Sequence, residues 1–162
     1  MPIRRLDPIA DRARVEALFA ASADYVQMER DQDPGPQITE DFFADAPPGA
    51  DPAASHRVGL FQPDLIGIAE LSFGYPDALA AYIGLLMIAP PARGKGAGQR
   101  LLRHLEDTAR RRGAKMLYLA VLDANQRGRA FWQREGFSLA LANCSVTPGR
   151  KTQIAHRLGK PL

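Results

Sequence analysis

Apolar residues recur along this chain with two different periods, and the alternation between them predicts a mixed order of helices and strands. Val15, Leu18, Phe19 and Val26 fall at near-helical spacing and predict a first helix over Ala13 to Met28, after a short strand at Ile3 to Leu6. A second, short helix is expected around Thr39 to Ala44 with Thr39 as its N-cap, ahead of a Pro47-Pro48-Gly49 loop that is not a domain boundary. Arg57 to Phe61 and Leu65 to Phe73 read as strands of a hairpin turned by Gln62-Pro63-Asp64. The almost unbroken apolar run Tyr82 to Ile88 predicts a strand buried on both faces, ended by Pro90-Pro91. Leu101, Leu102, Leu105 and Ala109 then mark one face of a helix that Gly113 stops. A buried strand at Met116 to Leu122, a helix from about Gln126 to Glu135 closed by Gly136, and strands at Phe137 to Asn143 and Thr152 to Leu158 complete the order.

With 162 residues and 46% hydrophobic content, the whole chain, 1–162, suits one domain with one buried core. No stretch reaches the roughly 18 uninterrupted apolar residues of a membrane span, and the start, Met1-Pro2-Ile3-Arg4-Arg5, lacks the apolar run of a signal peptide, so a cytoplasmic protein with no membrane partner is expected. Cys144 is the sole cysteine and excludes an internal disulfide; it reads as a small buried hydrophobe. His56, His104 and His156 lack metal-ligand spacing, and no metal is expected.

The segment with the most chemistry is Arg93-Gly94-Lys95-Gly96-Ala97-Gly98, set between a buried strand and a helix. Glycines there free successive backbone N–H groups to face one anion, and the following helix adds its positive dipole end. A P-loop needs Ser or Thr after the lysine, yet Lys95 is followed by Gly96. A dinucleotide fingerprint needs a third small residue three positions after the second glycine, where this chain has Gln99 or Leu101. What remains is Arg-x-x-Gly-x-Gly, Arg93 through Gly98. Downstream, Asn125 is followed seven residues later by an aromatic, Trp132, and then by Gly136-Phe137.

These two motifs, in this order, resemble those of the GNAT superfamily of acyl-CoA-dependent N-acyltransferases over roughly Leu65 to Phe137. The resemblance implies an α/β (α+β) GNAT fold: a central mixed, mostly antiparallel twisted sheet with a splayed central strand pair, flanked by helices. It implies acetyl-CoA as cosubstrate, with Arg93, Gly94, Lys95, Gly96, Ala97 and Gly98 around its pyrophosphate, backbone groups of Leu86, Met87 and Ile88 along its pantetheine arm, and Asn125 and Trp132 beside that arm. Strand addition of this kind uses main-chain groups, so side chains there answer to packing. The implied activity is transfer of an acetyl group to a primary amine by direct attack with both substrates bound. A homodimer is compatible with the family.

Charge is segregated in a way that suits this chemistry. From Asp24 to Asp51 eight acids face the single base Arg30, whereas Arg93 to Lys115 holds eight bases against Glu106 and Asp107. The basic segment suits phosphates and the acidic one a cationic amine, while the plainer reading of each is a solvated face. Tyr25 to Pro52 and Gly74 to Ala81 are expected on the acceptor side. Two catalytic positions depart from the family pattern: Gly84 stands where many members carry a Glu base, and Trp132 where many carry a Tyr acid, and an indole N–H is no practical acid. Glu70, inside the apolar run Ile66 to Phe73, is the replacement base if its side chain points inward, and Tyr82 leads Tyr75 and Tyr118 as a catalytic hydroxyl. The departures also motivate an alternative, a non-catalytic acyl-CoA sensor. Nucleic-acid binding through Arg103 and Arg110 to Arg112 lacks the aromatic stacking pattern such modules carry and is not expected. The acceptor is read as a small molecule, with a protein N-terminus or lysine second.

Overall fold

The structure is a computed structural model that describes residues 2–162. Seven strands form one sheet: β1 (Ile3–Arg5), β2 (His56–Phe61), β3 (Leu65–Phe73), β4 (Ala80–Ile88), β5 (Met116–Leu122), β6 (Ser138–Val146) and β7 (Gln153–Pro161), in the order β1-β2-β3-β4-β5-β7-β6. Neighbours are antiparallel except β4 and β5, which run parallel. Five helices cover the sheet: α1 (Arg12–Ala21), α2 (Ala23–Arg30), α3 (Pro36–Ala44), α4 (Ala97–Arg111) and α5 (Gln126–Arg134). Strand patterning separates two cores. Alternate residues such as Ala69, Leu71, Leu117 and Leu119 pack with Leu101, Leu102 and Leu105 of α4 and Trp132 of α5. On the opposite face, Ile68 and Met87 pack with Val15, Phe19, Val26 and Phe42 of α1, α2 and α3.

The first helix expected over Ala13 to Met28 is two helices. Ser22 leaves helical geometry at φ −105°, ψ 34°, caps α1 through its N–H to the Leu18 and Phe19 carbonyls, and starts α2 by accepting from Tyr25 and Val26 N–H. The start of α2 is made by the Ser22 main chain, its hydroxyl giving no cap bond, with Asp24 as an acid in the first turn. Thr39 is not an N-cap: α3 begins at Pro36 after Gly35, and Thr39 lies buried within it. Proline is pre-shaped for that first turn and lacks the N–H that would be unpaired there. Cys144 is half-buried on the edge strand β6 and not a core residue, because only β7 pairs with that strand. The strand after the β6–β7 connection runs three residues past Leu158, to Pro161, because β5 supplies partners as far as Met116↔Pro161. Gly113 and Gly136 follow α4 and α5 at φ +83° and +93°, the left-handed geometry that glycine adopts without strain. No helix among the described residues is long and apolar enough to cross a membrane.

Candidate active site

β4 and β5 pair only from Ala80↔Met116 to Ile83↔Leu119 and then part. The parting coincides with a β-bulge. Across β3–β4, Glu70 faces Leu85 while Leu71 faces Ile83, which leaves Gly84 as the extra residue on β4. Beyond this point Leu86, Met87 and Ile88 run free of β5 while still paired to Ala69, Ile68 and Gly67 of β3. One side of their strand therefore keeps main-chain groups available to an added chain, the requirement for strand-like recognition.

Glu70 points inward at 5% exposure, which resolves the two faces open to it in the sequence. Its carboxylate accepts hydrogen bonds from Ser72, Ser55 and the Gly84 N–H, and Ser55 Oγ lies 3.1 Å from Ser72 Oγ. Burial pushes the Glu70 carboxyl above the usual carboxylate range, against the opposing pull of those donors and of Arg57. Arg57, paired across the strands with Glu70, commits its guanidinium to the carbonyls of Phe42 (2.8 Å), Pro52 (3.0 Å) and Asp45 (2.9 Å). These supporting residues were not singled out from the sequence; the same-face offsets Glu70 to Ser72 and Arg57 to Ser55 are the only trace they leave.

Glu70, buried, lines a pocket of about 330 Å³ between the sheet and α2–α3. Tyr75 and Tyr82 form one wall, edge to face with centroids 5.0 Å apart, and burial pushes the Tyr82 hydroxyl up to about 12. Tyr25 of α2 donates to Glu29, and burial holds its own hydroxyl well above the usual value. Arg30 bonds Asp41 at 2.8 Å and Glu29 at 3.5 Å, and Asp45 stands at the rim. So part of the acidic segment, Glu29, Asp41 and Asp45, does line a pocket. The carbonyls of Met28 and Glu29 accept from Gln153 and that of Arg30 from the Arg150 N–H, so the β6–β7 connection fixes this end of α2.

The glycine loop follows β4 directly. Gly94 and Gly96 adopt φ +73° and +84°, and α4 starts at Ala97 with no side-chain cap. An uncapped N-terminus of a 15-residue helix presents unpaired N–H groups and a positive dipole end, which fits a phosphate group. Gly98 lies within α4, where a Cβ would meet the Phe131 ring at 3.4 Å, an ordinary contact. Arg93 does not stand open: its Nε bonds the Ile88 carbonyl at 2.9 Å and its fork grips Asp24 of α2 at 2.6 and 3.2 Å. That bond holds the Asp24 carboxyl below its usual range. Lys95 bonds the Pro91 carbonyl at 3.0 Å. Asn125 ends up as the N-cap of α5, its Oδ1 accepting from Gly128 N–H at 2.9 Å. Trp132 is 8% exposed, edge to face with Phe131 and Phe137 in the core.

A profile of the Acetyltransferase (GNAT) family matches residues 17–137. The streptothricin acetyltransferase of Streptomyces lavendulae is 34% identical over 95 residues, 59% of this chain and 50% of that protein. The aminoalkylphosphonate N-acetyltransferase of Salmonella typhimurium is 30% identical over 90 residues, 54% of this chain and 58% of that one. The aligned stretches thus span about half the length of these curated relatives. Among solved structures, an acetyltransferase from Thermus thermophilus superposes with a TM-score of 0.75 at 23% identity, over 99% of this chain and 96% of its own. The PaiA N-acetyltransferase of Thermoplasma acidophilum, solved with coenzyme A, superposes at 0.73 and 18% identity over 99% and 98%. With the sheet parted between β4 and β5, the glycine loop opening α4 and the family profile spanning both motifs, this chain belongs to the GNAT family of acetyltransferases.

Proposed function

We propose that this protein transfers the acetyl group of acetyl-CoA to a primary amine of a small molecule, both bound at once. The observation that carries the reading is the position of Glu70: a buried carboxylate lining a pocket, beside the point where β4 leaves β5. Acetyl-CoA supplies an acetyl group activated as a thioester. Its pyrophosphate would sit on the N–H groups opened by Gly94, Gly96 and Ala97 with Arg93 and Lys95 beside it, and its pantetheine arm along Leu86, Met87 and Ile88. Neither φ nor space demands glycine at 98, so close approach of a bound group is its use. Asn125 has a side-chain N–H₂ left after capping α5, and Trp132 backs the arm from the core.

An amine attacks only when neutral, so the site must take up a proton. Glu70, raised toward neutrality by burial, accepts it from the bound ammonium directly or through one water. Tyr82 serves as a hydrogen-bond donor. A hydroxyl near 12 does not give up its proton to a thiolate whose own pKa is about 8.5, so the departing thiolate is protonated from solvent, which also takes the second proton lost by the acetylated nitrogen. Relatives named for acetylating streptothricin and aminoalkylphosphonates support a small-molecule acceptor.

The test is thiol release from acetyl-CoA with amino acids, diamines, aminoglycosides and short peptides, run beside Arg93→Glu. Turnover on one acceptor class, lost in the variant, is the expected result. Tight acetyl-CoA binding with no turnover on any amine would overturn the catalytic reading in favour of an acyl-CoA sensor.

A further inference from the structure

We propose that the acceptor is a compact dication, a primary amine presented to Glu70 together with a second ammonium held by Asp45 at the pocket rim. The inference rests on the acetyltransfer reading for the fate of the first amine and goes beyond it in naming what else the acceptor carries. Four carboxylates line this pocket, and two already have partners: Asp41 and Glu29 share Arg30, and Glu29 also receives the Tyr25 hydroxyl. The other two have no cation bonded to them. Glu70 accepts only from neutral donors, and the Asp45 carboxylate has no hydrogen bond or ion pair among the described residues.

Asp45 is also in an unfavourable place for an anion. It caps the C-terminus of α3, its N–H bonded to the Asp41 carbonyl at 2.8 Å, where the helix dipole is negative and a cation is preferred. Burial and the neighbouring Asp41 hold its carboxyl above the usual range. Its main chain is fixed, because Arg57 grips its carbonyl at 2.9 Å. Arg57 is the cross-strand neighbour of Glu70 and bonds the Asp45 carbonyl, which groups the two residues around one side chain, and its three hydrogen bonds all go to carbonyls and none to either carboxylate. A bound ammonium at Asp45 would meet a carboxylate and a helix C-terminus. Tyr25, Tyr75 and Tyr82 also line the pocket, the Tyr75 ring already carrying the Arg157 guanidinium 5.2 Å from its centroid, and at about 330 Å³ the pocket is near the lower end of ligand sites, which run from roughly 300 to 1,000 Å³.

The experiment compares cadaverine, pentylamine and the neutral isostere aminopentanol, by thiol release from acetyl-CoA and by calorimetric titration into protein saturated with coenzyme A. Cadaverine carries two equivalent amines, so the statistical advantage is twofold. The expected kcat/KM ratio over the other two is about tenfold or more, of the size of one charge-assisted contact, falling as salt is raised. Asp45→Asn should bring the ratio down toward two. A wild-type ratio at or below two, or a ratio unchanged in Asp45→Asn, overturns the proposal. Tighter cadaverine binding without thiol release on any amine keeps the dication and overturns acetyltransfer. Equal binding of all three without thiol release overturns both.

Discussion

The Glu70 carboxylate fills the space that a side chain at position 84 would need: a Cβ on Gly84 would stand 2.1 Å from Glu70 Oε2. β3 thus delivers, across the bulge, a carboxylate to the place where the family resemblance puts one on β4. On the proposed role of Glu70, the two positions are alternatives for one group. Glu70→Gln should lower kcat about a hundredfold or more, within the range for loss of a positioned base, with little change in acetyl-CoA affinity. Gly84→Glu alone should also lose activity by displacing Glu70, and the pair Glu70→Ala with Gly84→Glu should recover part of it. Steady-state kinetics on the three variants decides; a double variant no better than either single one would refute the exchange.

The same carboxylate sets a pH dependence. Burial raises its pKa, so the base form is depleted as pH falls through a value above the ordinary carboxylate range of about 4.3. The rate should therefore rise with pH across that raised value. The acceptor's own deprotonation adds a second, more alkaline rise. In Glu70→Gln the acid-side limb should vanish and the alkaline one remain, which a pH profile of kcat/KM for both proteins would show.

How much of this was legible beforehand differs between the two halves of the site. The cofactor half follows from local sequence, because Gly94, Gly96 and an uncapped helix start are dictated by neighbours in the chain. The acceptor half depends on tertiary register. Glu70 is buried because helices cover both faces of β3, with Gly67 to Ser72 buried throughout, and alternation along the strand alone does not reveal that. The carboxylates Glu29, Asp41 and Asp45 read first as a solvated face; the break at Ser22 that starts α2 and the packing of α3 bring them to the pocket. Asn125 was legible as a motif residue but was not read as a cap, although Asn directly before a helical run is a cap signal.

That cap is testable apart from any ligand role. Asn125→Ala should cost about 1 kcal/mol of stability, the usual value for an N-cap oxygen, whereas Asn125→Asp should keep most of it. Gly128 is tied to the same contact, since a Cβ there would lie 2.5 Å from the Asn125 side chain. Urea unfolding measures the cap, and acetyl-CoA titration of Asn125→Asp measures whether the lost amide N–H₂ matters to the cofactor. Unchanged stability in Asn125→Ala would remove the structural role.

The Arg93–Asp24 pair joins the glycine loop to the helix that carries Tyr25, Glu29 and Arg30. A phosphate arriving at Arg93 has to compete with this carboxylate. Asp24 is largely exposed, so the pair is worth no more than about 1 kcal/mol and Asp24→Asn should tighten coenzyme A binding by up to about fivefold. It should also steepen the salt dependence of binding, because Arg93 then meets the phosphate uncompensated. Weaker binding in Asp24→Asn would mean that Asp24 positions Arg93 and does not compete for it.

Away from the site, His56 of β2 and His104 of α4 face each other with Nε2 atoms 2.9 Å apart and rings stacked at 5.2 Å. One N–H···N bond joins them only while at least one ring is neutral. Most of the surroundings oppose a second charge: Arg5 lies 3.3 Å from His56 Nδ1 and Arg111 and Arg112 act on the pair, while Asp107 acts the other way on His104. Burial first, then His104 and these arginines, lowers His56 to about 4, against about 6.5 in the unfolded chain. A depressed value means that the unfolded state binds the proton more tightly, so the contribution is complete above about pH 6.5 and is lost as pH falls toward about 4. With the pair half-buried, about 1–2 kcal/mol is expected between these limits. His56→Phe keeps the ring volume and cannot charge, so its urea midpoint should fall less than that of the parent between about pH 7.5 and about pH 4.5. Parallel falls in the two proteins would assign the acid sensitivity to other groups.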